Sequence, residues 1–367
     1  MPIRSHATIL ADGRELFYFD DADTVLGPTR RADSRAMEPR PSTPRMRMDP
    51  LTGEWVSIAS TRSNRAFLPA KQDDPLAPQT PKNPSEVPDL YDVAVFENRS
   101  PSFGPQLAPH PLTPHDYDNL ESLGFGKEHP AAGRCEVVCF SPESEGSFGS
   151  LSPNRARTVI EAWACRTEAL QSLPGVEQVF VFENRGKEIG VTLAHPHGQI
   201  YAYPFITPRT QKLLASIDKL GSHFFDDLLK FEQDSERVIA RTESFTAFVP
   251  FAARWPLEIH VLPHRHVHDL AELNDDERNE LAPLYLSLVR ALDAIYDSPT
   301  PYIAAWHQAP VHRGRANVRL MLQITSPRRA VDKLKYLAGS EAAMEAFIAD
   351  VIPEEQARLI AAAREPL

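Results

Sequence analysis

The chain has 367 residues, a formal net charge of −11, and 42 % hydrophobic against 24 % charged residues. This composition is that of a soluble globular protein with a real core. The acidic balance excludes sequence-independent nucleic-acid binding, which needs a basic surface to neutralise phosphates. No apolar run reaches the length of a membrane span, and MPIRSHATILADGRELFYF at the start carries no apolar signal core. Cys135, Cys139 and Cys165 cannot make a disulfide framework, and their odd number fits a reducing compartment. A cytoplasmic protein without a membrane or nucleic-acid partner is expected.

Residues 1–44 are weakly patterned and rich in Arg and Asp, which predicts a weakly ordered extension. DPLTGEWVSIASTRSNR (49–65) reads as a turn, a strand, and then Arg62 and Arg65 three apart. Such a pair can contact a diphosphate, although spacing alone favours a solvated surface pair. The 34 prolines are nearly twice the usual share of about 5 %. They gather at 28–50, 69–88 and 101–114, where the chain should wrap a core as extended loops. RCEVVCF (134–140) reads as a strand that places Cys135 and Cys139 on one face, as small buried residues rather than a metal pair. Ser152, followed by Pro153, caps a helix running to Leu170. EQVFVFEN (177–184) and GQIYAYPF (198–205) are strands, and residues 209–231 form a weaker helix candidate. SFTAFVPF (244–251) and EIHVLP (258–263) follow as strands. Asn274 and an acidic first turn open a helix to Ile295. YIAAWHQAP (302–310) and VRLMLQIT (318–325) are the last strands, and residues 351–367 read as a tail.

The order strand, helix, strand, strand occurs twice, about 120 residues apart, which predicts duplication of one unit. Only the first copy carries HPHGQ. The second has Leu320, Met321 and Leu322 in the corresponding region. Strand alternation would project His195 and His197 to the same side, with Pro196 fixing the backbone between them. Gly198 would let a ligand approach closely, and Gln199 could donate an amide hydrogen to an anionic oxygen. A buried structural histidine pair is the bland alternative, but His-x-His-x-Gln favours chemistry. Just upstream, FENRGKEIGVT (182–192) supplies Asn184, Gly186, Gly190 and Thr192, a composition able to turn amides and a hydroxyl toward phosphate.

DPLTGEWVSIASTRSNR, CFSP, VFENRGKEIGVTLAHPHGQIYA, VPFAARWPLEIHVLP, AAWHQAP and KLKYLAGSE occur in the order found in galactose-1-phosphate uridylyltransferases of the histidine-triad superfamily. The likeness covers roughly Arg45 to Glu341. It implies an α+β fold, a duplicated histidine-triad-like unit whose antiparallel half-barrel sheets carry packed helices. It divides the chain into an extension (1–44), a half bearing HPHGQ (45–207), a second half (208–350) and a tail (351–367). It further implies exchange of UMP between UDP-glucose and galactose 1-phosphate by a ping-pong route through a uridylyl-histidine. His197 would be the nucleophile, with His195 and Gln199 as its catalytic companions. Asn184, Gly190 and Thr192 would bind phosphates. Arg62 and Arg65 match the family's arginine pair near the nucleotide, which reverses the surface reading.

Asn98 in VFENRSPSF matches a nucleotide-contacting asparagine, but Arg99 and Ser100 replace the family's Asp-Phe. Lys335 and Tyr336 match a Lys-Phe pair near the sugar phosphate, contributed by the partner subunit of a homodimer. The family's zinc cysteines are missing from PKNPSEVPDLYD, and Ser144 stands where a zinc-binding histidine would be. At the second metal site His307 remains, while Met321 and Gln323 occupy histidine positions. One ligand per site cannot hold zinc tightly, so no metal and no cofactor is expected. Two alternatives remain: an adenylyl-transferring or NDP-sugar-cleaving relative acting on ADP-sugars, and a nucleotide-binding protein without catalysis. Retention of His197 and Gln199 speaks against the second.

Overall fold

A computed structural model describes residues 3–24, 29–60, 68–110 and 125–366. The chain opens with β1 (Arg4–Ile9) and β2 (Glu15–Asp20), joined through Gly13 at φ +83°. There follow β3 (Arg45–Met48), β4 (Trp55–Ile58), β5 (Val93–Glu97), β6 (Glu128–Pro130) and β7 (Arg134–Cys139). Helix α1 (Pro153–Gln171) leads to the hairpin of β8 (Gln178–Arg185) and β9 (His197–Tyr203). Beyond it lie α2 (Pro208–Leu220), α3 (Phe224–Gln233), β10 (Val238–Arg241), β11 (Phe245–Phe248) and β12 (Leu257–Pro263). Helix α4 (Asp275–Ile295), β13 (Tyr302–His307) and β14 (Met321–Ser326) complete the second unit. The short pair β15 (Arg328–Ala330) and β16 (Lys333–Leu334) precedes α5 (Gly339–Met344) and α6 (Pro353–Ala363).

Eleven strands make one antiparallel sheet in the order β1-β2-β5-β7-β9-β8-β13-β14-β12-β11-β10, and β4-β3-β6 form a small sheet of their own. The large sheet reads as a palindrome about the β8–β13 pair: β9 answers β14, β7 answers β12, and β5 answers β11. The duplication inferred from pattern is therefore a duplication in space. The two half-sheets are continuous, because Tyr302 to Trp306 pair with Arg185 to Val181.

Helices α1 and α4 lie on one face. Val159, Ile160 and Trp163 of α1 and Leu281, Leu284, Tyr285 and Leu288 of α4 share a core with Val179, Val181, Ile200, Ile259, Leu322 and Ile324 of the sheet. Each such buried side chain contributes roughly 1.5–3 kcal/mol. Both helices start as the sequence predicts. Ser152 Oγ accepts from the Arg155 amide at 3.1 Å, and Asn274 and Glu277 exchange hydrogen bonds of 2.8 and 2.9 Å in a capping box. In β7, Glu136 points to the helical face and takes the Arg166 guanidinium of α1 at 2.7 and 3.0 Å. Cys135 and Cys139 alternate to the other face, where both are buried and neither is in a disulfide.

Three expectations are corrected. Residues 4–20 are not a loose extension: alternation in ELFYFD buries Leu16 and Tyr18 against β5, so β2 joins the main sheet. The weak helix at 209–231 is two helices, α2 and α3, parted at Gly221, whose φ is +96°. The C-terminal tail contains α6, which buries Ala357 and Ile360 in the main core. Among the described residues no helix is long and apolar enough to cross a membrane.

Candidate active site

On the sheet face opposite α1 and α4 lies a cavity of about 740 Å³. Its lining includes Phe96, Val137, Asn184, His197 and Gln199 from β5, β7, β8 and β9. Gly190, Val191, Thr192 and Leu193 of the β8–β9 connection close one side, and Asn98, Arg99 and Ser100 after β5 close another. Thus Asn98, Asn184, Gly190, Thr192, His197 and Gln199, scattered over a hundred residues of sequence, meet in one place. Gly190 sits at φ +84°, a left-handed turn that glycine enters without strain. The Thr192 carbonyl accepts the Leu68 amide at 2.8 Å. Arg62 and Arg65 lie outside the described residues.

Strand β9 begins at His197, so its alternation puts His197 and Gln199 toward the cavity and Gly198, Ile200 and Ala202 toward α1. His195, two residues before the strand, lies on the same face of the sheet as His197, against Tyr91, which clusters with Leu76, Phe96, Val137 and Cys139. Its ring is buried. There Nδ1 lies 2.7 Å from Asp74 Oδ2, while Nε2 lies 2.8 Å from the Ser141 carbonyl and 3.1 Å from the Tyr91 hydroxyl. Tyr91 gives its own hydrogen to the Leu76 carbonyl at 2.7 Å, so toward His195 it is an acceptor. Burial pushes the Asp74 carboxyl up, but the hydrogen bond and charge of His195, with hydrogen bonds from Ser144 and the Leu76 amide, together hold the group below its ordinary value.

His197 is tied to this arrangement through the backbone. Its Nδ1–H donates to the His195 carbonyl at 2.7 Å, which fixes the tautomer and places the lone pair on Nε2. Gln199 Oε1 accepts from Tyr201 at 3.3 Å, so its amide nitrogen is the end left to donate. Gly198 has a different task from the one expected. A Cβ there would come within 2.9 Å of both the Phe140 ring and the Phe182 carbonyl, so glycine serves packing against the core, not ligand approach.

Lys335 and Tyr336 are not brought to this cavity. The Lys335 ammonium is 2.8 Å from the Arg254 carbonyl and from Glu341 and also bonds the Ile348 carbonyl, whereas Tyr336 is 73 % exposed. Sequence reasoning missed Asp74, Tyr91 and the Ser141 carbonyl, which nothing in a linear pattern connects to His195. It also missed Arg14. From the supposed extension, Arg14 is wholly buried in the cavity wall, bonded to Asp12 at 2.8 Å, to the Glu97 carbonyl at 2.9 Å and to Glu86.

An imidazole with an oriented lone pair, an adjacent amide donor and a glycine-bearing loop suit a class of enzyme: one that moves a phosphorus-centred group by way of histidine. Comparison with known proteins narrows this. The model of the galactose-1-phosphate uridyl transferase N-terminal domain matches residues 34–207, and that of its C-terminal domain matches 209–328. A galactose-1-phosphate uridylyltransferase of Streptomyces lividans is 42 % identical over 84 % of this chain and 81 % of its own. One of Thermotoga maritima is 33 % identical over 85 % and 96 %. A solved uridylyltransferase structure superposes with a TM-score of 0.74 at 31 % identity, covering 87 % of this chain and 98 % of that one. The chain belongs to the galactose-1-phosphate uridylyltransferase family, and its reaction is UMP transfer in galactose metabolism.

Proposed function

We propose that the enzyme takes UMP from UDP-glucose onto His197 Nε2 and then delivers it to galactose 1-phosphate. In the first half-reaction the Nε2 lone pair attacks the α-phosphorus, and the bond to glucose 1-phosphate breaks. In the second, the phosphate oxygen of galactose 1-phosphate attacks the same phosphorus and the phosphorus–nitrogen bond breaks, returning the imidazole. The bonds made and broken are alike, so positioning and charge stabilisation supply most of the catalysis. The observation that carries this reading is the His197 Nδ1–His195 carbonyl hydrogen bond. It aims Nε2 and takes up positive charge as the ring becomes a phosphoimidazolium. Gln199 lies two residues along the same strand face, suited to a phosphoryl oxygen.

We further propose that the transfer needs no metal. A zinc-binding His195 would have to offer a ring lone pair, yet both nitrogens face oxygen acceptors. Among the described residues no group of three or more His, Cys, Asp or Glu is arranged to hold a metal ion. Asp74, Tyr91 and the Ser141 carbonyl do by hydrogen bonding what a zinc ion would do by coordination. At the second position Gln323 accepts from His307 at 2.9 Å and donates to Glu258 at 2.7 Å, again a hydrogen-bonded set. A cytoplasmic homodimer, with the exposed Tyr336 segment reaching the partner's cavity, completes the reading.

Intact-protein mass spectrometry after brief mixing with UDP-glucose tests the intermediate. The expected result is a mass gain equal to a uridylyl group, absent in His197→Ala and discharged by galactose 1-phosphate. A gain with ADP-glucose alone would move the enzyme to adenylyl transfer. Elemental analysis of untagged, fully active protein should find far less than one zinc or iron per chain. A stoichiometric metal would overturn the metal-free account.

A further inference from the structure

The palindromic sheet gives the second half a counterpart of the active-site cavity. The first cavity rests on β5, β7, β9 and β8. A second, of about 670 Å³, is lined by Phe248 of β11, Glu258 and His260 of β12, His307 of β13, and Met321 and Gln323 of β14. These are the partner strands under the symmetry, on the same face of the sheet. Met321, first residue of β14, stands where His197 opens β9, and Gln323 stands where Gln199 does. The concave surface has been kept and the nucleophile has not.

The cavity lining carries Arg209, Lys212, Arg254 and Arg319 against Glu232, Glu258, Glu341 and Glu345, but not every one of these groups is paired. Glu258 accepts from the Arg254 amide at 2.6 Å, from Gln323 at 2.7 Å and from His260 at 3.1 Å, which, against its burial, holds its carboxyl down to about 2. Glu232 is paired with Arg237 at 2.7 Å, Glu341 with Lys335 at 2.8 Å, Glu345 with Lys212, and Arg319 with Asp226 at 2.5 Å. Arg209 and Arg254 are left over. Both line the cavity, and among the described residues neither guanidinium donates a hydrogen bond or joins an ion pair. Arg254 only overlies Phe347, 4.8 Å from its ring centre. Crowding by the walls and the nearby charge of Arg254 push the pKa of Arg209 down, although the charge of Glu258 acts the other way.

We propose that this second cavity binds a phosphate monoester, its dianion held by Arg209 and Arg254 and its organic part lying on the aromatic wall of Phe224, Phe248 and Phe251. Two guanidiniums match a dianion and its planar oxygen edges. Because a thioether replaces the imidazole at Met321, the site binds without transferring anything.

Calorimetric titration of galactose 1-phosphate and, separately, of UMP into wild-type protein and into an Arg209→Gln/Arg254→Gln variant tests this. Both arginines are solvent-accessible and only their backbone groups, which the substitutions keep, make hydrogen bonds among the described residues, so the variant should fold. For one of the two ligands the wild type should bind two molecules per chain and the variant one. Uridylylation at His197 by UDP-glucose should stay within twofold of wild type. Two molecules of UMP would identify a nucleotide site, and two of galactose 1-phosphate a sugar-phosphate site. One molecule per chain for both ligands in the wild type, or two still bound by the variant, would overturn the proposal. It does not rest on the transfer mechanism, since loss of the adduct in His197→Ala leaves this titration unaffected.

Discussion

Asp74 and His195 are 121 residues apart in sequence and 2.7 Å apart in the fold. The consequence reaches His197, because the carbonyl that holds the nucleophile belongs to His195. Asp74→Asn should therefore weaken the aim of Nε2 without removing a group that touches substrate. A misplacement of about 1 Å costs roughly 100-fold, so the rate of adduct formation should fall by that order, with KM for UDP-glucose changed much less. Stopped-flow or rapid-quench measurement of the first half-reaction checks this, and an equal loss in kcat/KM and gain in KM would assign Asp74 to binding instead.

Glu183 is a second residue whose position predicts a measurable effect. It is buried on the helical side of β8, and desolvation lifts its carboxyl to about 7, while hydrogen bonds from Tyr302 at 2.9 Å and Tyr285 at 3.2 Å and the charge of Arg185 pull the other way. The folded state thus keeps a proton that the unfolded chain loses near the ordinary 4.5. Stability should be highest below that value, fall as pH rises toward about 7, and level off above it. Glu183→Gln should flatten this slope and raise stability at pH 8 by on the order of 2–3 kcal/mol. Denaturant melts at pH 5 and pH 8 decide it; an unchanged slope would show that Glu183 is ionised in the folded state.

At the scale of elements, what could be read ahead of the structure was what local pattern dictates. The caps at Ser152 and Asn274, the β8–β9 hairpin and the repeated order of strands and helices all rest on residues close in sequence. What could not be read depended on distant partners. ELFYFD carries a strand alternation, but only the β5 edge makes it a strand, and α6 needs the core that α4 offers. Gly198 shows the same limit within the site. Its place in HPHGQ suggested access for a ligand, whereas its neighbours Phe140 and Phe182 require a missing side chain. Gly198→Ala should push β9 away from α1, because the Phe182 carbonyl cannot yield as a side-chain tip could. We expect a cost of about 1–3 kcal/mol together with a large loss of adduct formation, seen by thermal melts and by mass spectrometry on the same sample. A stable variant with full activity would show that the strand can shift freely.

At the scale of the molecule, the boundary near residue 207 separates two copies of a unit but not two bodies. Strand β13 of the second half completes the edge of β8 in the first, and one core cluster draws on α1 and α4 alike. Even Glu183, in the first half, is capped by Tyr285 and Tyr302 of the second. Neither half can therefore lose its structure without exposing apolar surface and an open strand edge in the other. Heating should give a single calorimetric transition whose calorimetric and van 't Hoff enthalpies agree. A fragment ending at residue 207 should associate through the bared edge of β8 instead of remaining monomeric. Two resolved transitions, or a monomeric and fully folded fragment, would mean that each half is stable by itself. The joint sheet would then be a docking surface and not a shared core.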